Sequence, residues 1–252
     1  SKDAWCEIVE RTQETGVDGF ELNFSCPHGL PERRMGMAMG ENPEIVAEVT
    51  GWVMEKATIP VWAKMTPNIT DITVPARSAL EAGAHGISAI NTILSVMGVN
   101  LKTLRPLPTV EGYTVPGGYS GQAVRPIALR QVMQLAKAFP DTSISGMGGI
   151  ETAEDAAEFI LLGSKTVQVC TGAMLMGYEM IKPLCEGLSN FMDQHGFKSI
   201  DDFVGLSLPY FSTHYDLVHR QLDAKRTKAG TSNRDSMWQG DIAKETRSLT
   251  AD

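Results

Sequence analysis

The chain has 252 residues, a formal net charge of −8 and 42% hydrophobic residues, which suits one large or two small globular domains. The acidic balance argues against a nucleic-acid-binding protein and against docking on anionic lipid. No apolar run reaches the roughly 18 residues that a membrane span needs, and the first residues lack the apolar core of a signal peptide.

The four cysteines are Cys6, Cys26, Cys170 and Cys185, and none forms a C-x-x-C pair. We therefore expect neither a zinc ribbon nor an iron–sulfur cluster in this chain. His28 has no second ligand at metal spacing, so no metal site is predicted. Without a secretion signal, reduced thiols in a cytoplasmic protein are the simplest interpretation.

The first predicted element is an amphipathic helix over residues 3–16. A short apolar strand over residues 19–24 follows, and it ends before Pro27 because proline has no amide proton to donate. Residues 27–42 are predicted as a loop rich in Gly, Pro, Arg and Met, and a loop of that length is usually functional or disordered. Asn42 then predicts the cap of a second helix.

Strands and helices alternate in the rest of the compact part. In chain order we predict strand 60–65, helix 73–82, strand 86–91, helix 126–139, strand 142–149, helix 152–162, strand 166–170 and helices 176–195 and 199–204. Residues 92–122, with many Gly and Pro, are predicted as a long irregular excursion. Apolar strands that alternate with helices predict a parallel sheet with helices outside it.

The last part of the chain changes character after about residue 205. We predict a helix over residues 215–226, a linker over residues 227–233 and another helix over residues 240–250. The sequence therefore predicts a compact domain over residues 1–205 and a mostly helical tail over residues 206–252, a candidate partner-binding arm.

Polar side chains and glycines recur at the ends of all five predicted strands. They are Asn23 with Cys26, Lys64, Asn91 with Thr92, Gly148 with Gly149, and Cys170 with Thr171 and Gly172. In a parallel barrel these strand ends converge on one rim, where barrel enzymes keep their chemistry. Glycine turns after the last strands suit a phosphate, because bare backbone amides can approach its oxygens.

The chemistry of these residues fits a flat heterocycle. Lys64 at a buried strand end needs a negative partner, and the N1–C2 carbonyl edge of a flavin offers one. Asn23 and Asn91 offer donors and acceptors that complement a cyclic imide. Each residue also has a simpler explanation: Cys26 as a packing thiol, Lys64 as a surface residue, Asn91 as a cap, the glycines as a plain turn. Their joint occurrence at five strand ends favours the functional interpretation.

Several motifs, in order along the chain, carry a family resemblance. They are residues 23–29 (Asn-Phe-Ser-Cys-Pro-His-Gly), 63–68 (Ala-Lys-Met-Thr-Pro-Asn), 90–92 (Ile-Asn-Thr), 118–121 with 125–130, 148–150 (Gly-Gly-Ile) and 167–170 (Val-Gln-Val-Cys). From about residue 3 to residue 205 the chain resembles the flavin domain of the dihydropyrimidine dehydrogenase family, in particular its bacterial pyrimidine-reducing subunit. Dihydroorotate dehydrogenases share the Asn-x-Ser-Cys-Pro pattern, but His28, Gly29 and the run from Gly118 to Arg130 favour the pyrimidine family.

The resemblance implies roles at the matching positions. Cys26 would be the general acid–base that exchanges a proton with C5 of the pyrimidine, while N5 of FMN exchanges a hydride with C6. The implied substrate contacts are Asn23, Phe24, Ser25, Asn91 and Thr92. The implied FMN contacts are Lys64, Gly121, Met147, Gly148, Gly149, Cys170 and Thr171. Met147 stands where mammalian family members have threonine, so its contact is expected through the backbone.

The resemblance also implies a fold, a TIM barrel of the (β/α)8 type. This chain starts at the helix before the fourth strand, so residues 1–205 would hold strands 4 to 8 of an FMN-binding barrel that lacks about three of its eight strands. Either the chain is a fragment or a preceding polypeptide completes the barrel. The family's iron–sulfur ligands are missing here, so either electrons, including those of NAD(P), would arrive through a partner subunit or domain, or this homologue has a changed electron acceptor. We also expect an oligomer.

The function that follows is a flavin-dependent oxidoreductase that interconverts uracil or thymine and their 5,6-dihydro forms. A rival within enzymes is dihydroorotate oxidation, which would need a cationic partner for the orotate carboxylate. A rival of another class is a non-catalytic remnant or scaffold without flavin. The sequence contains no G-x-G-x-x-G turn for a dinucleotide.

Overall fold

The computed structural model describes residues 1–26 and 35–227. The strands in this part are β1 (Phe20–Asn23), β2 (Val61–Lys64), β3 (Gly86–Ala89), β4 (Ile93–Ser95), β5 (Gly98–Asn100), β6 (Arg105–Leu107), β7 (Gly117–Tyr119), β8 (Ser143–Met147) and β9 (Thr166–Gln168). The helices are α1 (Lys2–Gln13), α2 (Met37–Gly40), α3 (Pro43–Met54), α4 (Thr73–Glu81), α5 (Arg125–Ala138), α6 (Ala153–Leu161), α7 (Thr171–Met176), α8 (Ile181–His195) and α9 (His214–Thr227).

One five-stranded parallel sheet organises the fold, with strand order β1-β2-β3-β8-β9. The register places Asn23 of β1 beside Lys64 of β2, and Lys64 beside Ser88 of β3. At the other end of the sheet, Met147 of β8 pairs with Gln168 of β9. The predicted parallel α/β architecture is confirmed, and in the described residues the sheet stays open, with β1 and β9 at its edges, as expected of a partial TIM barrel.

The strands form because their apolar residues fill a core between the sheet and the outer helices. Val61, Ala63, Ile87 and Ile144 are almost fully buried. All four residues of β3 are buried, which is the pattern of a central strand covered on both faces. The core therefore fixes the strand register, and the register fixes which side chains meet at the strand ends.

Two helix starts follow the predicted capping chemistry. The Asn42 side chain accepts hydrogen bonds from the backbone N–H of Glu44 and Ile45, at 2.9 and 3.1 Å, and starts α3. Thr152 and Asp155 form a reciprocal capping box at the start of α6. Each cap fixes the residue at which the preceding loop ends and the helix begins.

The excursion between β3 and α5 contradicts the prediction of irregular structure over residues 92–122. There β4 pairs antiparallel with β7, and β5 pairs antiparallel with β6. The glycines and prolines of this segment mark turns between short strands. The end of the compact part also differs from prediction: α7 follows β9 directly, α8 begins at Ile181 rather than at residue 176, and the helix predicted at 199–204 is a 3-10 turn at Ile200–Asp202.

The chain divides into two compact units, Ser1–Leu208 and Pro209–Asp252. Within the second unit, α9 carries an ion pair one turn apart, in which Arg220 Nε lies 2.7 Å from Asp216 Oδ2. Residues 27–34 of the predicted loop, residues 228–233 of the predicted linker and the predicted helix 240–250 lie outside the described residues. The predicted domain roles of residues 1–205 and 206–252 stay predictions.

Candidate active site

A cleft of about 180 Å³ opens at the carboxyl ends of the sheet strands. Its wall includes many of the residues predicted for the site. They are Lys64, Asn91, Thr92, Gly121, Met147, Gly148, Gly149, Cys170 and Thr171. Residues spread over more than a hundred positions thus meet in one place, because the ends of parallel strands share one edge of the sheet. Their individual roles stay predictions.

The glycine turn after β8 leaves no room for a side chain at either glycine. Gly149 has a φ of +75°, and a Cβ built on it would lie 2.7 Å from the carbonyl oxygen of Gly121. Gly148 has a φ of +131°, and a Cβ there would lie 2.9 Å from the Cβ of Ala128. Packing against neighbouring protein atoms therefore requires glycine at both positions, and the turn presents backbone without side chains at the wall of the cleft.

Two hydrogen-bonded side-chain pairs at this end of the cleft were not predicted from the sequence. The hydroxyls of Ser120 and Thr171 lie 2.8 Å apart. Gln122 Nε2 donates to Glu151 Oε2 at 2.7 Å. Ser120 stands inside the motif at residues 118–121, so the motif itself was the signal that pointed to it.

Lys64 is held by a carboxylate that sequence reasoning also missed. Lys64 Nζ donates to Glu21 Oε2 at 2.9 Å. Gln168 Nε2 donates to Glu21 Oε1 at 2.7 Å and to Ser145 Oγ at 3.0 Å. Burial raises the pKa of the Glu21 carboxyl, but hydrogen bonds headed by those from Gln168 and Lys64 outweigh it and hold the pKa below its usual value. Glu21 is therefore a carboxylate at neutral pH.

Glu21 was detectable in principle. It stands two residues before Asn23 in β1, and alternate residues of a strand face the same side. The approach of Gln168 was not detectable, because it joins residues 147 positions apart through the register of the sheet.

Asn23, Ser25 and Asn91 form a hydrogen-bonded cluster. Asn91 Nδ2 donates to Ser25 Oγ at 2.7 Å and to Asn23 Oδ1 at 3.2 Å. Asn23 Oδ1 also accepts from the backbone N–H and the hydroxyl of Ser25, at 3.1 and 3.2 Å. Asn91 Oδ1 accepts from the backbone N–H of Thr92 at 2.8 Å. The three side chains therefore orient one another at the ends of β1 and β3.

Phe24 and Cys26 are placed differently from their neighbours. Phe24 is fully buried in the core, beneath the cluster, and its backbone N–H donates to the carbonyl of Lys64 at 3.3 Å. Cys26 is a partly buried free thiol whose carbonyl accepts from the N–H of Met37 at 2.8 Å. Like Asn23 and Ser25, neither belongs to the wall of the cleft, which of the carboxamide cluster includes only Asn91. Cys26 adjoins residues 27–34, and the contacts predicted for both side chains stay predictions.

No group of three His, Cys, Asp or Glu side chains in the described residues is arranged to hold a metal ion. No helix in the same part of the chain combines the length and the apolar character needed to cross a membrane.

The sheet is that of an open α/β barrel, and its strand ends carry a glycine turn, a lysine and two carboxamides. This arrangement is typical of barrel enzymes that act at the carboxyl rim. Comparison with known proteins then gives the family. Residues 1–192 match the family model described as dihydroorotate dehydrogenase, and the chain belongs to that family.

The chain is similar to named dehydrogenases over most of its length. It is 58% identical over 261 residues to the chloroplastic dihydropyrimidine dehydrogenase (NADP(+)) of Arabidopsis thaliana, covering 100% of this chain and 61% of that protein. It is 45% identical over 206 residues to the NAD-dependent dihydropyrimidine dehydrogenase subunit PreA of Escherichia coli strain K12, covering 81% of this chain and 50% of that protein. The predicted family resemblance is confirmed, and these relatives are dehydrogenases by name.

A further relative carries another substrate in its name. The catalytic subunit of dihydroorotate dehydrogenase B (NAD(+)) of Pyrococcus abyssi is 40% identical over 201 residues, covering 80% of this chain and 64% of that protein. The chain thus spans between half and two thirds of the length of these relatives. One of them is chloroplastic by name, so the cytoplasmic location stays a prediction.

Solved structures support the fold. A crystal structure of the Eimeria tenella enzyme DHODH in complex with ferulenol superposes with a TM-score of 0.66 at 22% identity, covering 82% of this chain and 58% of that chain. The ligand-free enzyme of the same organism superposes equally well, with a TM-score of 0.66 at 21% identity.

Proposed function

We propose that this chain carries the flavin and pyrimidine sites of an oxidoreductase that interconverts uracil or thymine and their 5,6-dihydro forms. The observation that carries the proposal is the hydrogen-bonded cluster of Asn23, Ser25 and Asn91 beside a cleft lined by Lys64 and Gly149. The similarity to proteins named dihydropyrimidine dehydrogenase supports the choice of substrate class.

The residues of the cleft suit FMN. The bare turn at Gly148 and Gly149, with Gly121 and Thr171 next to it, would hold the phosphate through backbone amides and a hydroxyl. Lys64 would face the polar edge of the ring, and Met147 and Cys170 would complete the wall. When bound, FMN would supply hydride transfer between its N5 and C6 of the pyrimidine.

The carboxamide cluster would orient the pyrimidine. A cyclic imide presents two carbonyl acceptors and one N–H donor, and an asparagine side chain offers both a donor and an acceptor. Asn91 and Asn23 are held by each other and by Ser25, so substrate meets groups that have already lost their rotamer freedom. Both N–H donors of Asn91 are used within the cluster, so the Nδ2 group of Asn23 is the donor that would remain for a ring carbonyl.

Cys26 would hold and deliver the proton at C5 of the pyrimidine. General acid–base catalysis of this kind contributes on the order of 10²–10⁴-fold. Cys26→Ala should therefore lower dihydrouracil–uracil turnover by about that factor while FMN stays bound. Cys185→Ala, which removes an exposed free thiol on α8, is the matched control and should leave turnover unchanged. Undiminished turnover in Cys26→Ala rejects the assigned role.

Dihydroorotate oxidation is the second candidate, favoured by the family description and by the Pyrococcus relative. Lys64 is the sole cation among the described residues that line the cleft, and Glu21 already neutralises it. The described wall therefore offers no unpaired positive charge to an orotate carboxylate. Activity on dihydroorotate but not on dihydrouracil would select this candidate. A colourless protein that takes up no added FMN would instead select a scaffold without flavin.

We propose that NAD(P) acts through a partner subunit or domain, since the E. coli relative is named as a subunit of an NAD-dependent enzyme. In the purified protein, dihydrouracil should reduce the bound flavin and an artificial electron acceptor should reoxidise it. NAD(P) should not be reduced unless a partner is added. Direct NAD(P) reduction by this chain alone would contradict the proposal. The expected oligomer stays a prediction.

A further inference from the structure

Glu21 lies at the centre of a hydrogen-bonded network that joins four strands of the sheet, β1, β2, β8 and β9. Its two carboxylate oxygens are shared between two donors: Oε2 accepts from Lys64 Nζ at 2.9 Å and Oε1 accepts from Gln168 Nε2 at 2.7 Å. Gln168 is itself fixed by a second hydrogen bond, to Ser145 Oγ at 3.0 Å. The carboxylate on β1 thus contacts Lys64 of the neighbouring β2 and Gln168 of β9, the strand at the other edge of the sheet.

The network constrains Lys64 in a way that matters for a ligand in the cleft. An ammonium group has three N–H donors, and Glu21 occupies one of them. The side chain of Lys64 is only 20% exposed and forms part of the cleft wall. A free lysine side chain has many rotamers, and ordering it on ligand binding costs conformational entropy. Pairing with Glu21 orders it beforehand.

The charge of Glu21 is stable under ordinary conditions. Hydrogen bonds headed by those from Gln168 and Lys64 outweigh the opposing effect of burial and keep the pKa of Glu21 below its usual value. The ion pair also leaves the strand-end lysine with a negative partner, which a partly buried cation requires.

We propose that Glu21 is a positioning residue for the flavin site, acting through Lys64: it holds the ammonium group at the cleft wall so that its remaining donors face the flavin ring, with Gln168 as a second support. The inference rests on the proposed function, because it presumes that FMN occupies the cleft. It adds to that function a residue that makes its contribution without touching the flavin.

A double-mutant cycle on FMN affinity tests the proposal. The Kd for FMN would be measured by quenching of flavin fluorescence for the wild-type protein, Glu21→Gln, Lys64→Met and the double variant. Without Glu21 the cost of ordering Lys64 would fall on FMN binding, so Glu21→Gln should weaken FMN binding about tenfold. In the Lys64→Met background the same substitution should change the Kd less than about twofold.

Glu151→Gln is the matched control. It removes the charge of a carboxylate that lines the cleft itself and bonds Gln122 rather than Lys64. Its effect on the FMN Kd should be the same with and without the Lys64→Met substitution. Should Glu21→Gln fail to fold, Gln168→Met would replace it, with an expected loss of about threefold that disappears in the Lys64→Met background.

Two results would overturn the inference. Equal losses from Glu21→Gln in both backgrounds would show a merely structural role, and an unchanged Kd would show no role at all. In either case the wild-type protein would still bind FMN, so the proposed function would stand. A wild-type protein that binds no FMN would reject the proposed function, and this inference with it.

Discussion

Gly149 should be among the least replaceable residues of the cleft. Its φ of +75° lies in the left-handed region, where a Cβ costs roughly 1–2 kcal/mol. A Cβ would also lie 2.7 Å from the carbonyl oxygen of Gly121 and 3.0 Å from both Arg125 Cβ and Gln122 Cα. Overpacking of this kind costs typically 1–3 kcal/mol. Gly149→Ala should therefore lower the free energy of unfolding by about 2–5 kcal/mol.

Gly196→Ala separates the cost of the left-handed backbone conformation from the cost of overpacking. Gly196 has a φ of +73°, close to that of Gly149, but a Cβ there would meet nothing within 4 Å. Urea unfolding of both variants should show a loss of about 1–2 kcal/mol for Gly196→Ala and a further 1–3 kcal/mol for Gly149→Ala. Equal losses would refute the close approach of the glycine turn to the backbone at Gly121.

Three further outcomes are expected. Thr152→Ala removes the cap of α6 and should cost about 1 kcal/mol in urea unfolding; a variant as stable as the wild type would contradict the capping box. Replacing the fully buried Phe159 by Ala should lower the free energy of unfolding by about 3–5 kcal/mol, against under about 0.5 kcal/mol for Ile127→Ala at an exposed position. Similar losses for the two variants would place Phe159 outside the core. The lowered pKa of Glu21 means that its carboxylate stabilises the fold above pH about 4.5 and stops doing so as the pH falls through the lowered pKa. The difference in unfolding free energy between wild type and Glu21→Gln should therefore be constant from about pH 5 to 7 and shrink in more acidic solution; a difference that grows on acidification would contradict the sign of the shift.

The rim of the sheet was predictable from the sequence because strand ends are local features. Short apolar runs that stop at Lys64, Asn91 and Gly148 show where strands end, and parallel strands bring those ends to one edge. The cap at Asn42 was predictable for the same reason, since Asn42 and the backbone N–H groups that donate to it are close neighbours in sequence.

Other features depend on distant parts of the chain. The bond between Gln168 and Glu21 arises from the strand order, which no local pattern contains. The pairing of β4 with β7 joins segments separated by the whole excursion, whose glycines and prolines gave the impression of irregular structure. The burial of Phe24 had a local signal: it shares a strand face with Leu22, opposite Asn23, so alternation places it in the core.

Titration of the purified protein with FMN tests the central claim most directly. If the strand ends build a flavin site, flavin fluorescence should be quenched with equimolar saturation, and Lys64→Met should weaken the binding. Flavin fluorescence that stays unchanged as wild-type protein is added would contradict the account.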